Sequence, residues 1–189
     1  MNSPALKEWS AAVRALLDGR QTVLLRKGGI HEKRFALDPA AAAAAPFLLF
    51  PTVAHSHAQR VRPEHRDLLA PDGQEADSTE EAVVLRAGAK VVAAVQVNRP
   101  EAIEEIADLH IWTAESVRAD RLDFRPRHRL TVLVVQAHPL AVPIRLPRTP
   151  EHAGCASWVQ LAAPQDFGAP VHDAQTLAAI AGRVRDSVG

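Results

Sequence analysis

The sequence predicts an α+β fold: a single domain in which a mixed or largely antiparallel sheet carries an N-terminal and a C-terminal helix. Strand candidates outnumber the helices between them and come in pairs joined by short turns. The first and last segments repeat apolar residues at helical spacing. The 189 residues are 47% hydrophobic and 23% charged, which is typical of a globular domain with a real core. We therefore expect one domain over residues 1–189.

The first elements are a helix and a strand. Apolar residues recur at helical spacing through residues 4–17, with Pro4 at the first helical position, which predicts the N-terminal helix. Residues 21–26 are β-branched or leucine-rich and end at Gly28-Gly29, as in a strand that enters a tight turn. Residues 30–37 are then expected to be its hairpin partner.

The middle of the chain predicts strands separated by an acidic loop. Residues 47–50 form a compact apolar strand candidate, and residues 60–69 a short helix. Residues 71–81 are acidic and rich in turn formers, which predicts a flexible loop. Two strands follow at 82–87 and 90–97, joined by Gly88-Ala89.

The second half alternates helices and strands. Pro100 opens a helix with an apolar stripe, and Thr113 is expected to cap another over 114–122. Residues 129–137 alternate as a strand, whereas the prolines of 139–150 restrict that stretch to a sheet edge or a connection. A short strand is expected at 157–161, and Asp173 begins a C-terminal helix over about 173–186.

Composition restricts the functional classes. Twenty-two Lys and Arg residues balance 22 Asp and Glu, so any nucleic-acid site must be a local patch. The one cysteine, Cys155, excludes a multi-cysteine zinc or iron–sulfur site and suits a reducing compartment. No stretch approaches the roughly 20 apolar residues of a membrane span. We expect a cytoplasmic protein without a cofactor or membrane partner, and the sequence identifies no protein partner.

Several blocks occur together in one order, and some contain rare residues. They are Leu6-Lys7-Glu8-Trp9, Leu25-Arg26-Lys27-Gly28-Gly29-Ile30, Phe47-Leu48-Leu49-Phe50-Pro51-Thr52 with His55, His110-Ile111-Trp112, Arg121, and Gly154-Cys155-x-Ser157-Trp158. Over nearly the whole chain they resemble the bacterial family called domain of unknown function 1802. That family has no established activity. The resemblance implies a link to restriction and DNA defence, because similar members occur alongside restriction-endonuclease-like domains.

The glycine turn after the first strand is a candidate anion site. Arg26 and Lys27 stand where the strand enters Gly28-Gly29, so backbone N–H groups and cationic side chains together suit a phosphate. The alternative is a β-turn with solvated charges.

Histidines and a late serine are the other candidates. An extended His55-Ser56-His57 would place two imidazoles on one side, as a metal pair requires, although no metal site is expected from this spacing alone. His110 and Trp112 mark a junction where a pocket can open, or else a helix end and a core tryptophan. We expect at least three of Arg26, His55, His110, Arg121 and Ser157 to share one cleft.

The densest basic run suggests the function. It comprises Arg118, Arg121, Arg125, Arg127, His128 and Arg129, with Phe124 inside it; a second run comprises Arg60, Arg62, His65 and Arg66. We expect a binding module for DNA or another phosphate-bearing ligand in a restriction or defence context. The alternative is a small enzyme acting on an anionic substrate, with His55 and His110 as acid and base.

Overall fold

The computed structural model describes residues 2–27, 45–53, 57–69 and 76–189. Within them, six strands form one sheet in the order β2-β5-β4-β3-β1-β6. The strand β1 is parallel to β3, and the other neighbours are antiparallel. The predicted α+β fold with a mixed sheet is therefore confirmed. The strands are β1 Ser3–Trp9, β2 Val23–Lys27, β3 Phe47–Thr52, β4 Ala82–Gln96, β5 Leu130–Pro147 and β6 Trp158–Leu161.

Helices flank the sheet near both ends of the chain. They are α1 Ser10–Leu17, α2 His57–Arg60, α3 Ala114–Val117 and α4 Ala174–Val188; 3-10 helices span Pro63–Leu68, Pro100–Leu109 and Pro150–His152, and a π-helical turn spans Arg118–Asp123. Asp173 caps α4, since its Oδ1 accepts the Thr176 N–H at 2.7 Å. Leu177 and Val184 of α4 share one apolar cluster with Val95 of β4 and other strand residues. None of the helices in the described ranges is long and apolar enough to cross a membrane.

The predicted helix over residues 4–17 is wrong in its first half, because Ser3–Trp9 is a strand and only Ser10–Leu17 is helical. The strand β1 lies inside the sheet between β3 and β6. Both of its faces are covered as well, because the successive residues Ala5 and Leu6 pack in two different apolar clusters. A strand buried on both faces does not alternate in polarity, so its apolar residues also fit a helical stripe.

The predicted break at Gly88 is also wrong, because Ala82–Gln96 is one strand. A Cβ at Gly88 would lie 2.2 Å from Cε1 of Phe167 and 2.6 Å from the carbonyl oxygen of Phe47. The glycine thus permits close approach of a ring and a neighbouring strand rather than a turn.

Two further predictions are confirmed in part. Ile103, Ile106 and Leu109 are buried as expected, but their spacing of three matches the 3-10 helix that forms, rather than an α-helix. The proline-rich continuation of β5 is a strand that pairs with β4, whereas its pairing with β2 ends at Val134. The prolines therefore occupy an edge, as the sequence requires. The expected hairpin partner at 30–37 lies outside the described residues.

Candidate anion-binding cleft

A cleft of about 650 Å³ opens where the end of β2, the start of the 3-10 helix Pro100–Leu109 and the segment before β5 meet. Four of its lining side chains are cationic and two are carboxylates. They are Lys27, Arg118, Arg121 and Arg129 against Glu101 and Asp123, with the polar Asn98 and His128 beside them. The whole chain carries no formal net charge, so this cleft is a local basic patch of the kind that the balanced composition permits.

Lys27 holds the wall of this cleft. Its Nζ donates to the carbonyl oxygens of Arg121 at 2.6 Å, Leu122 at 3.1 Å and Phe124. An ammonium group has three donors, and all three are used on carbonyls at the end of the π-helical turn. Burial lowers the pKa of Lys27, while Asp123 acts in the opposite direction. Lys27 therefore positions the segment 121–124, although the sequence pattern had suggested direct contact with an anion.

Arg26 pairs with a buried carboxylate, Glu8, whose charge also acts on Arg121. Arg26 Nη1 donates to Glu8 Oε2 at 3.2 Å and to the Lys7 carbonyl at 3.0 Å. Glu8 is only 3% exposed. Burial lowers the pKa of Arg121, and the nearby Arg26 lowers it further, whereas Glu8 and Asp120 raise it. The environment as a whole thus disfavours the cation at Arg121, and an anion entering the cleft would stabilise it.

A tryptophan pair packs next to this cluster. The rings of Trp9 and Trp112 meet edge to face with centroids 5.0 Å apart. The imidazole of His57 lies 4.1 Å from the Trp9 ring. Burial, and then the charge of Arg60, lower the pKa of His57 to about 4. His57 is therefore a neutral packing group here. His55 lies outside the described residues, and the described ranges contain no cluster of three metal-ligating side chains.

Arg60 links the tryptophan pair to the cleft wall. Its guanidinium carbon lies 5.1 Å from the Trp9 ring centroid, and its Nε contacts Asp120 Oδ2 at 2.8 Å. Trp9, Asp120 and Arg121 together line a narrow gap of about 10 Å³. These contacts support Arg121 from the side of the core.

His110 occupies a structural position rather than the cleft. It is 2% exposed, and its Nδ1 accepts the Trp112 N–H at 3.1 Å. Burial, followed by the charge of Arg62, lowers the pKa of His110 to about 4. Arg62 in turn donates to the carbonyls of Ala107 at 2.7 Å and His110 at 2.6 Å. Arg60 and Arg62 of the second basic run thus serve internal contacts.

The tip of the segment before β5 exposes an aromatic ring. Phe124 is 54% exposed, and the guanidinium carbon of Arg125 lies 4.8 Å from its ring centroid. Arg125 has a φ of 49°, which is the left-handed region that residues other than glycine rarely adopt. Sequence reasoning placed Phe124 within the basic run, but neither the ring contact nor the backbone conformation leaves a signal in the sequence.

The remaining candidates lie elsewhere. The Ser157 carbonyl accepts the Lys7 N–H at 2.8 Å, close to the start of β6, and Cys155 is an exposed free thiol. Gly28 and Gly29 lie outside the described residues. The structure thus places the charges of Arg26 and Arg121 near enough to influence each other, whereas a shared cleft for three of the five named residues stays a prediction. Sequence reasoning did not single out Glu8, which stands next to Lys7 in β1 and belongs to no distinguishing charge pattern.

The family model described as a domain of unknown function (DUF1802) matches residues 5–183. The chain belongs to this family. No curated protein matches this DUF1802 chain in sequence.

Solved structures similar to the DUF1802 chain come from Zymomonas mobilis. The crystal structure of ASCH is 14% identical with a TM-score of 0.43, and covers 94% of this chain and 92% of that chain. A Ser-to-Ala variant is 14% identical with a TM-score of 0.44, covering 94% of each chain. A Tyr-to-Phe variant is 18% identical with a TM-score of 0.44, covering 75% of this chain and 73% of that chain.

Proposed function

We propose that this DUF1802 chain is a binding module that takes the phosphate backbone of a nucleic acid into the 650 Å³ cleft. The observation that supports this proposal is the excess of positive charge in the cleft. Four cationic side chains and two carboxylates line it, although the chain as a whole has zero net charge. Phosphate contacts supply most of the sequence-independent affinity of such modules.

Three arginines are the proposed phosphate donors, because a guanidinium matches a phosphate in two parallel hydrogen bonds. Arg129 Nη1 contacts neutral oxygens, those of Asn98 at 3.2 Å and Gln96 at 3.4 Å, so these contacts leave its charge in place. Arg118 pairs with Glu104 at 3.4 Å, and both side chains are more than 60% exposed. Such a surface pair is weak and readily exchanged for a phosphate. Arg121 supplies a half-buried cation at the cleft wall.

The proposed ligand is DNA or another phosphate-bearing chain, and the proposed setting is a restriction or defence system in the cytoplasm. The setting follows from the family resemblance, and the compartment from the single Cys155. The alternative, an enzyme with His110 as acid or base, has less support, because His110 is buried, already accepts a backbone N–H, and is not among the cleft-lining residues.

The test is the salt dependence of binding to a fluorescently labelled strand of about 20 nucleotides and to its duplex, measured by anisotropy from about 50 to 200 mM salt. Three phosphate contacts predict a slope of log affinity against log salt of about −2 for the strand and about −2.7 for the duplex. Arg129→Gln removes one phosphate contact. It should therefore reduce the magnitude of the slope by about 0.7 for the strand and about 0.9 for the duplex.

The matched control is Arg145→Gln, because Arg145 is exposed on the far half of β5. Its slope should equal that of the wild type. Absence of binding at the lowest salt, or equal effects of the two substitutions, would refute the proposed function.

A further inference from the structure

The rim of the cleft carries a ring and a cation that the fold of the domain does not require. Asp123 and Pro126 line the cleft, so Phe124 and Arg125, which stand between them, lie at its edge. Among the described residues, the exposed large hydrophobic side chains are Phe124 and three valines. Phe124 is thus the aromatic member of that set.

This tip is held rigidly from several directions. The Phe124 N–H donates to the Ala119 carbonyl at 3.2 Å, and the Phe124 carbonyl accepts from Lys27 Nζ. The His128 N–H donates to the Arg125 carbonyl at 2.9 Å, which closes the turn on the other side. Arg125 keeps its left-handed backbone within this turn. Such strain costs about 1 kcal/mol or more, persists only where the surroundings impose it, and clusters at functional sites.

We propose that Phe124 stacks on an unpaired base of a single-stranded nucleic acid whose backbone lies in the cleft. This inference rests on the proposed function. Because hydrogen bonds already hold the backbone that carries the ring, little backbone entropy is lost when a base covers it. The Arg125 guanidinium on the ring adds a positive charge beside the incoming nucleotide.

The geometry favours a single strand over a duplex. In a duplex the faces of the bases are already stacked on each other, so an exposed ring gains nothing unless a base is unstacked. In a single strand each base presents a π face to such a ring. One exposed ring is also far too small for a stable protein interface, which buries about 800 Å² on each partner.

The experiment compares Phe124→Ala, Phe124→Trp and the wild type on the labelled strand and on its duplex. Phe124→Ala should weaken strand binding by about tenfold, within the range found when a stacking aromatic is removed. Duplex affinity and the salt slope should not change, because no phosphate contact is lost. Phe124→Trp should restore strand binding. A strand carrying 2-aminopurine should show quenched fluorescence with the wild type and with Phe124→Trp, but not with Phe124→Ala.

The outcomes separate the two proposals. If the wild type shows no salt-dependent binding to the strand or the duplex, the proposed function is overturned. Salt-dependent binding that is equal for the wild type and Phe124→Ala would leave the phosphate cleft standing and overturn the stacking role. Equal weakening of strand and duplex by Phe124→Ala would overturn it too. Thermal unfolding of each variant checks the fold, which should be unaffected because the ring is largely exposed.

Discussion

Replacing Lys27 by methionine tests whether this lysine holds the protein's own backbone or the phosphates of a ligand. In the structure its Nζ donates to three carbonyls in the segment 121–124. That segment carries Arg121 on the cleft wall and Phe124 at the rim. Methionine keeps most of the apolar stem and removes all three donors.

The expected loss of stability follows from these contacts. A hydrogen bond to a charged group contributes about 1.5–3 kcal/mol. The carbonyls lie in a partly exposed segment, where water replaces much of what the ammonium supplied. We therefore expect the free energy of unfolding to fall by about 1.5–3 kcal/mol, the size of one such bond rather than three.

Two assays on the same variant measure this effect. Urea denaturation gives the change in unfolding free energy. Salt titration of strand binding should show weaker affinity at an unchanged slope, because Lys27 itself contacts no phosphate, and Arg121 and Phe124 still reach the ligand but must first be ordered on binding. The control is Lys90→Met, an exposed lysine on β4, which should leave stability within about 0.5 kcal/mol of the wild type.

A salt slope that falls by about 0.7 in Lys27→Met, together with unchanged stability, would contradict this reasoning. That result would mean that Lys27 leaves its carbonyls and contacts a phosphate directly, as the strand-to-glycine pattern first suggested.

Three further predictions concern the scaffold. Gly88→Ala should lower the unfolding free energy by about 1–3 kcal/mol, since its Cβ would collide with the Phe167 ring; Gly182→Ala, with nothing within 4 Å of its Cβ, should raise it by up to about 1 kcal/mol. Asp173→Ala should remove the N-cap of α4 and lower the free energy of unfolding by about 1 kcal/mol, as measured by urea denaturation. His110, with its pKa lowered to about 4, binds a proton more readily in the unfolded chain. Stability should therefore fall as pH drops from about 6.5 to about 4, by about 3 kcal/mol for this group. His110→Asn should reduce the pH dependence by this amount and leave the part due to His57, and an unaltered pH profile would argue against neutral burial of His110.

Local patterns predicted the parts of the fold that local forces determine. The helix α4 was predictable because Asp173 supplies the cap and Leu177 and Val184 the stripe, all within a few turns. The division of residues 4–17 into a strand and a helix was not predictable, because the partners of β1 lie in β3 and β6. Gly88 was misread for the same reason, since the ring that requires a glycine there belongs to Phe167.

Some features of the candidate site were likewise predictable from neighbouring residues in the sequence, and others were not. The basic run before β5 was visible because its residues are neighbours in sequence. The partners of Lys27 were not, because they lie 94 to 97 positions along the chain. Glu8 gave no signal of its own, because an acid in a strand is ordinarily solvated, and the contacts it makes here, with Pro51 of β3 and with Arg26, are distant in sequence.

The interior place of β1 has a consequence for how the chain is synthesised. Ser3 Oγ donates to the carbonyl of Ala163, 160 residues later, and β1 pairs with β6 along residues 3–6. The strand β1 therefore gains its second neighbour only after residues 158–161 have been synthesised. Until then β1 presents an unpaired edge, which is a template for pairing with another chain. Translation that stops before residue 158 should leave a sheet prone to aggregation, whereas a chain that reaches β6 covers that edge of β1.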